Sequence, residues 1–246
     1  MSGSHTVVLY GMNSPNVRKV VIMLEELDLP YELRHVAVFQ GEQFTPTFLA
    51  LNPLGKVPVL VDPRLGEPLA ESGAILFWLA ERSGGSLLAA AAPDRYAVMQ
   101  WLMVQMGSIG PMFGQFNHFQ ILSGDQPYGF GRYGTQAQRL YRLLDDRLDG
   151  REWIAGEAYS IADIAIHPWA HYLERHGFDA AAHPHLLRWR SAIDARPAVV
   201  RARERMEAAF NAASNATRKA ATKADLDRFF GRTGTMPEAD FSSVTR

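Results

Sequence analysis

With 246 residues, the chain is long enough to bury a full core, in one large or two small domains. Its formal net charge of -1 and pI near 6.7 favour neither nucleic acid nor a membrane surface, and no apolar run approaches the ~20 residues of a membrane span. Cysteine is absent, which excludes structural disulfides, thiolate metal sites and an enzyme thiol nucleophile, so any sulfur chemistry must come with a ligand.

The run TVVLY at 6–10 predicts a buried strand, reached too early to leave room for a signal peptide, so a cytoplasmic location is expected. A Gly/Asn/Pro loop follows, with Pro15 at a helix start and Val17, Val20, Val21, Leu24 and Leu27 at helical spacing. Residues 31–38 alternate as a second strand, and 45–49 predict one helical turn in an irregular connection. The stretch 51–73, LNPLGKVPVLVDPRLGEPLAESG, organises the rest. Val57-Pro58 precedes the apolar strand Val59-Leu60-Val61, with a cis bond allowed there. After a turn and a further strand, Glu71-Ser72-Gly73 opens a helix over 73–82, with Ser72 expected at the N-cap and Gly84-Gly85 ending it. An exposed backbone edge followed by an anion-binding helix start fits a small acidic peptide.

Beyond an Ala-rich linker, every segment reads as helix. Residues 94–119 form a long apolar helix kinked at Gly107, Gly110 and Pro111, and its many-sided apolar character implies contact with a second subunit. Residues 123–133 read as a Gly- and aromatic-rich loop, and 132–148 as an amphipathic helix. Ser160 to Asp163 form a capping box rather than a catalytic pair. Two more helices span 184–195 and 197–213, followed by a polar tail with helix over 223–230. His167 and His171 stand four apart, but without an intervening glutamate and beside Pro168 they read as structural, so no metal site is expected.

Val-Pro before a strand, then ESGAILFWLAER, then YSIADIAIHPW, in this order and spacing, resembles the cytosolic glutathione transferases over about residues 6–210. The likeness is greatest to the bacterial Nu class, which resembles glutathione-dependent disulfide-bond reductases. Ser14-Pro15-Asn16 departs from the Thr-Pro-Asn of that class, and Phe130-Gly131-Arg132-Tyr133 lacks its acidic residue before the arginine. The resemblance implies an α/β thioredoxin-like N-terminal domain (1–84), a linker (85–93), an all-α C-terminal domain (94–214) and a polar extension (215–246). It also implies a homodimer that uses glutathione with a small electrophilic or disulfide substrate.

The implied site follows from the chemistry of glutathione. Glu71 would accept from the γ-glutamyl ammonium while Ser72 and the helix start hold its carboxylate. The backbone of Val57, directed by Pro58, would pair with the cysteinyl unit. By resemblance, Lys56 and Gln43 reach the glycine carboxylate and Arg132 approaches from a neighbouring helix or subunit. Ser14 and Asn16 face the thiol, with Tyr10 as the rival. One hydrogen bond to a charged acceptor (~1.5–3 kcal/mol) plus a helix N-terminus (~0.3–2 kcal/mol) lowers a thiol pKa by about 1–3.5 units. From an ordinary value of about 8.5, that makes the thiol largely thiolate at neutral pH without a general base. Aromatics of the long helix are expected mainly in the core, with Phe113 a candidate for an apolar co-substrate pocket. Disulfide or peroxide reduction is the leading expectation; ether cleavage, dehalogenation and a non-catalytic binding module are the alternatives.

Overall fold

The computed structural model describes residues 6–121 and 127–231. Strand β1 (Val7–Gly11) pairs in parallel with β2 (Tyr31–His35) and antiparallel with β3 (Val59–Val61), which pairs antiparallel with β4 (Leu69–Ala70). The order is β2-β1-β3-β4. Strand β2 is shorter than expected because the chain turns into a 3-10 segment at Val38–Gln40. Helix α1 (Pro15–Glu26) follows β1, with Pro15 preset for its first turn and Ser14 at the N-cap. The short α2 (Pro46–Leu49), capped by Thr45, and α3 (Ser72–Arg82) complete this α/β half.

The remainder is helical. α4 (Asp94–Val104) runs through a π segment (Gln105–Ile109) into α5 (Gly110–Ile121), so the expected irregularity at Gly107 and Gly110 is a π-bulge rather than a break. α6 spans Pro127–Leu148. The loop expected over 123–133 is therefore helical from Pro127 onward, and its first residues lie outside the described part. Glycine here serves packing rather than turning. A Cβ on Gly129 would fall 2.3 Å from the Phe119 ring, and Phe119 stacks on Tyr133 with centroids 5.4 Å apart. α7 (Ile161–Ala170) begins with the expected capping box: the buried Asp163 carboxylate accepts from the Ser160 amide and hydroxyl, the Ile154 amide and the Trp189 indole. α8 (Pro184–Asp194) and α9 (Pro197–Met206) each start at a proline, and a second π segment (Glu207–Asn211) leads into α10 (Ala212–Ala220). α11 (Lys223–Phe229) lies within the tail, where a helix was expected.

Helix α1 joins the two halves, packing against α3, α7 and α9. Val17 and every residue from Lys19 to Glu25 are buried, because helices cover the sides of α1 that the sheet leaves open. Arg196 bonds Glu26 through two nitrogens at 2.6 and 2.9 Å, and Arg201 bonds Glu25 at 2.8 Å. The tail helices turn back onto the first half. The Asn13 amide donates to Ser214 at 3.3 Å, and Phe229 packs on Phe39 with ring centroids 4.8 Å apart. Among the described residues no helix is long and apolar enough to cross a membrane.

Candidate functional site

A cleft of about 390 Å³ opens between the α/β half and α5, within the size range of small-molecule sites. From the first half it is lined by Asn16, Lys19, Lys56, Val57, Pro58, Glu71 and Ser72, and from the second by Gln105, Met106, Gln115 and Trp169, among others. Six of the nine residues singled out in the sequence are thus brought together: Asn16, Lys56, Val57, Pro58, Glu71 and Ser72. The Val57-Pro58 peptide bond is cis. The loop before it is held by Asn52, whose Nδ2 donates to the Lys56 carbonyl at 2.8 Å.

The start of α3 differs from the expected Ser72 cap. Glu71 holds the N-cap position with φ 66° and ψ 114°, and Ser72 is the first helical residue. A left-handed φ on a residue with a Cβ costs about 1–3 kcal/mol and persists only where its surroundings enforce it. It leaves the Glu71 side chain exposed at the cleft, with no side-chain cap on the first helical amides. Gly73 packs closely against the second half: a Cβ there would lie 3.0 Å from the Met106 sulfur of the π segment, which would have to give way by a few tenths of an ångström.

Ser72 instead accepts from Lys19, the main residue that sequence reasoning missed. The Lys19 side chain is 1% exposed, and its Nζ lies 2.7 Å from Gln105 Oε1 and 3.3 Å from Ser72 Oγ. Burial pushes its pKa well below the ordinary lysine value, while the Glu71 charge acts in the opposite direction. Lys19 falls off the apolar stripe of α1 and so reads as a solvated lysine. The signal that could have found it is the unbroken run from Val20 to Leu24, which marks a helix buried on all sides. Gln105, also buried, accepts from Lys19 through Oε1, while its Nε2 has no partner among the described residues.

Asn16 is oriented by Trp169, whose indole N–H donates to Oδ1 at 3.1 Å. An indole N–H only donates, so Asn16 must present Oδ1 to it, which leaves the Nδ2 amide as a donor toward the cleft. Ser14 lies apart from the cleft. Its Oγ accepts from the Val17 amide at 3.4 Å as the cap of α1, and it lines a neighbouring cavity of about 310 Å³. Gln43 is buried and does not line the cleft, because the 3-10 turn carrying it tucks beneath Gly55. Arg132 is exposed on α6, so the expected approach from a neighbouring helix of the same protomer is not seen. Tyr10 points away as well, its hydroxyl bonded to Arg34 at 2.9 Å. Phe113 is fully buried and stacked on Tyr141, and it lines neither the cleft nor the neighbouring cavity.

Residues 13–82 match the glutathione S-transferase N-terminal domain and residues 134–197 the glutathione S-transferase C-terminal domain. The Disulfide-bond oxidoreductase YfcG of Escherichia coli is 43% identical over 196 residues, which cover 77% of this chain and 91% of that protein. The chain belongs to the glutathione transferase family. The Escherichia coli Disulfide-bond oxidoreductase YghU is 35% identical, across 82% of this chain and 75% of its own length. A glutathione transferase family member from Pseudomonas fluorescens, solved with two glutathione bound, superposes with a TM-score of 0.75 at 43% identity, covering 82% of this chain and 94% of that one. A glutathione transferase from Pseudomonas putida with one glutathione disulfide bound per subunit gives 0.75 at 41%, covering 82% and 92%. These likenesses bear out the expected family and the expected pairing of a thioredoxin-like half with a helical half.

Proposed function

We propose that the chain is a glutathione transferase of Nu type that activates the thiol of glutathione for the reduction of small disulfides or peroxides. The observation that carries this reading is the convergence of Asn16, Val57, Glu71 and Ser72 on one cleft. Relatives named as disulfide-bond oxidoreductases support it. Glu71 would accept from the γ-glutamyl ammonium. Its carboxylate would meet the first amides of α3 and the Ser72 hydroxyl, with Lys19 behind as a buried counter-charge. The Val57 backbone would pair with the cysteinyl unit, and Lys56 would meet the glycine carboxylate.

The thiol would then lie at the Ser14-Pro15-Asn16 turn, where the Asn16 amide is the donor that faces the cleft and the Ser14 hydroxyl would serve only a sulfur drawn to the other side of the turn. The thiolate attacks one sulfur of a disulfide, forming a mixed disulfide with glutathione and expelling the other sulfur as a thiolate. A second glutathione displaces the remaining half, so two glutathiones are oxidised as one disulfide is reduced. With no cysteine in the chain, no mixed disulfide forms on the enzyme. We further propose a cytoplasmic homodimer, in which Arg132 would serve the partner's cleft.

The test is a turnover panel at fixed glutathione with a dialkyl disulfide, a hydroperoxide and a chlorinated nitrobenzene. Disulfide or hydroperoxide turnover that falls in Asn16→Ala and Ser14→Ala supports the reading. Glutathione binding without turnover of any of the three overturns it.

A further inference from the structure

We propose that the cavity on the far side of the Ser14-Pro15-Asn16 turn is a co-substrate pocket selective for small organic anions, such as disulfides that carry carboxylate or sulfonate groups. It rests on the glutathione reading above and names the class of the second substrate. The sequence led to an apolar co-substrate pocket. The cavity of about 310 Å³ is instead lined by Arg18, Arg175 and Arg218, with His171, Tyr172 and Ser14 among its other walls, and by no aspartate or glutamate.

The state of these three arginines gives the pocket its sign. Elsewhere, arginines of this chain such as Arg190, Arg196 and Arg201 are matched to glutamates. Arg18, Arg175 and Arg218 form no ion pair with a carboxylate among the described residues. Arg175 lies over the Tyr172 ring at 5.4 Å and Arg218 over the Phe39 ring at 6.0 Å. Such a cation–π contact places the guanidinium without neutralising it, so its N–H groups remain donors for an anion. Among the described residues, Arg18 Nη2 reaches the Asn13 amide oxygen at 3.4 Å, and Nε is buried without a partner. Asp194, whose charge acts on Arg18, is itself engaged by His167 and His171 at 2.9 and 3.1 Å. Three under-neutralised guanidiniums around a concave site concentrate anions there. Each N–H to carboxylate bond formed is of the stronger, charge-assisted kind.

The pocket's position connects it to the reaction. Ser14 lines this cavity and Asn16 lines the cleft, so the two sites flank one three-residue turn, and a disulfide held by the arginines would have to extend past that turn to reach a sulfur in the cleft. Arg218 comes from α10, which is brought to this place by the Asn13–Ser214 and Asn13–Asn211 hydrogen bonds. The tail would thus take part in substrate choice.

The test compares an aromatic disulfide bearing two carboxylates with hydroxyethyl disulfide, which is uncharged, in the full-length protein and in Arg175→Gln and Arg218→Gln. The expected result is a kcat/KM ratio that favours the anionic disulfide, declines as ionic strength rises, and drops about tenfold in each variant. Arg218→Lys should recover part of the loss. A wild-type ratio near one, or a ratio unmoved by the variants, overturns the proposal. If neither disulfide turns over, the disulfide-reductase reading fails, and calorimetric binding of biphenyl dicarboxylate decides the pocket. Binding weakened about tenfold in Arg218→Gln sustains the proposal, and absence of binding to the wild type ends it.

Discussion

Replacing Lys19 with methionine should leave the fold nearly as stable while greatly weakening the hold on glutathione. The buried ammonium bonds Gln105 at 2.7 Å and Ser72 at 3.3 Å, both neutral partners, so its desolvation is only partly offset in the free protein. Methionine fills a similar volume and removes that cost, but it leaves Gln105 Oε1 without its donor at about 1–3 kcal/mol. The two effects oppose each other, and the net change is about 1–2 kcal/mol, or only a few degrees in Tm for a chain of this size. With a γ-glutamyl carboxylate at Ser72, the balance differs. Losing a charged partner there costs about 1.5–3 kcal/mol, roughly ten- to hundredfold in affinity.

The same substitution has a pH signature. Burial lowers the Lys19 pKa in the folded protein, whereas an unfolded lysine titrates near ~10.4. Between the lowered folded value and ~10.4, the unfolded state holds more protons, so this residue makes stability rise with pH across that window. A bound carboxylate raises the Lys19 pKa again, so ligand binding takes up a proton over the interval between the free and bound values. S-methylglutathione isolates this uptake because its sulfur has no proton to release. Calorimetry in buffers of different ionisation enthalpy should detect a larger uptake in the wild type than in Lys19→Met, where only the ligand's own amine contributes. Equal affinity and equal uptake in both proteins would refute the reasoning.

Asn16→Ala should raise the pKa of the bound glutathione thiol by about 1–2 units, the equivalent of one hydrogen bond to a charged sulfur, as read from thiolate ultraviolet absorbance against pH. An unchanged titration would remove Asn16 from thiol activation. Asp163→Ala should cost about 4 kcal/mol, since it deletes the α7 cap and strands the Trp189 and Ile154 donors. Thermal unfolding should then come roughly 10 °C earlier, and a Tm within a degree or two of wild type would contradict the buried network. Acid should destabilise the protein through His167 and His176, whose pKa values burial pushes down to about 4. Below ~6.5 the unfolded state takes up protons that the folded state refuses until about pH 4, so stability present above ~6.5 is lost through that window, by up to about 3 kcal/mol per residue. Denaturant midpoints of His167→Asn should depend less on pH over that interval, and an identical dependence would exclude His167 from the effect.

Local pattern was enough wherever a residue acts through its immediate neighbours. Pro15, Ser160 with Asp163, Pro184 and Pro197 start helices because caps and fixed φ are properties of a few consecutive residues. The gathering of Val57, Pro58, Glu71 and Ser72 followed from motif spacing, and the absence of cysteine alone left any sulfur chemistry to a ligand. The loop expected over 123–133 failed for a physical reason. Gly129 reads as a turn residue until the Phe119 ring, several residues back along the chain, occupies the space of its missing Cβ.

From the sequence alone came the family, the fold class, the absence of protein thiols and six of the residues that line the cleft, all encoded in short stretches and their spacing. Tertiary structure alone decided which neighbours each side chain would meet. It buried Lys19 beneath Ser72, turned Asn16 by way of Trp169, moved Ser14 to the cavity beside the cleft, and carried Arg218 back from the tail to stand with Arg18 and Arg175. Those pairings join residues up to 200 positions apart (218 − 18), a separation at which periodicity and propensity carry no information about contact.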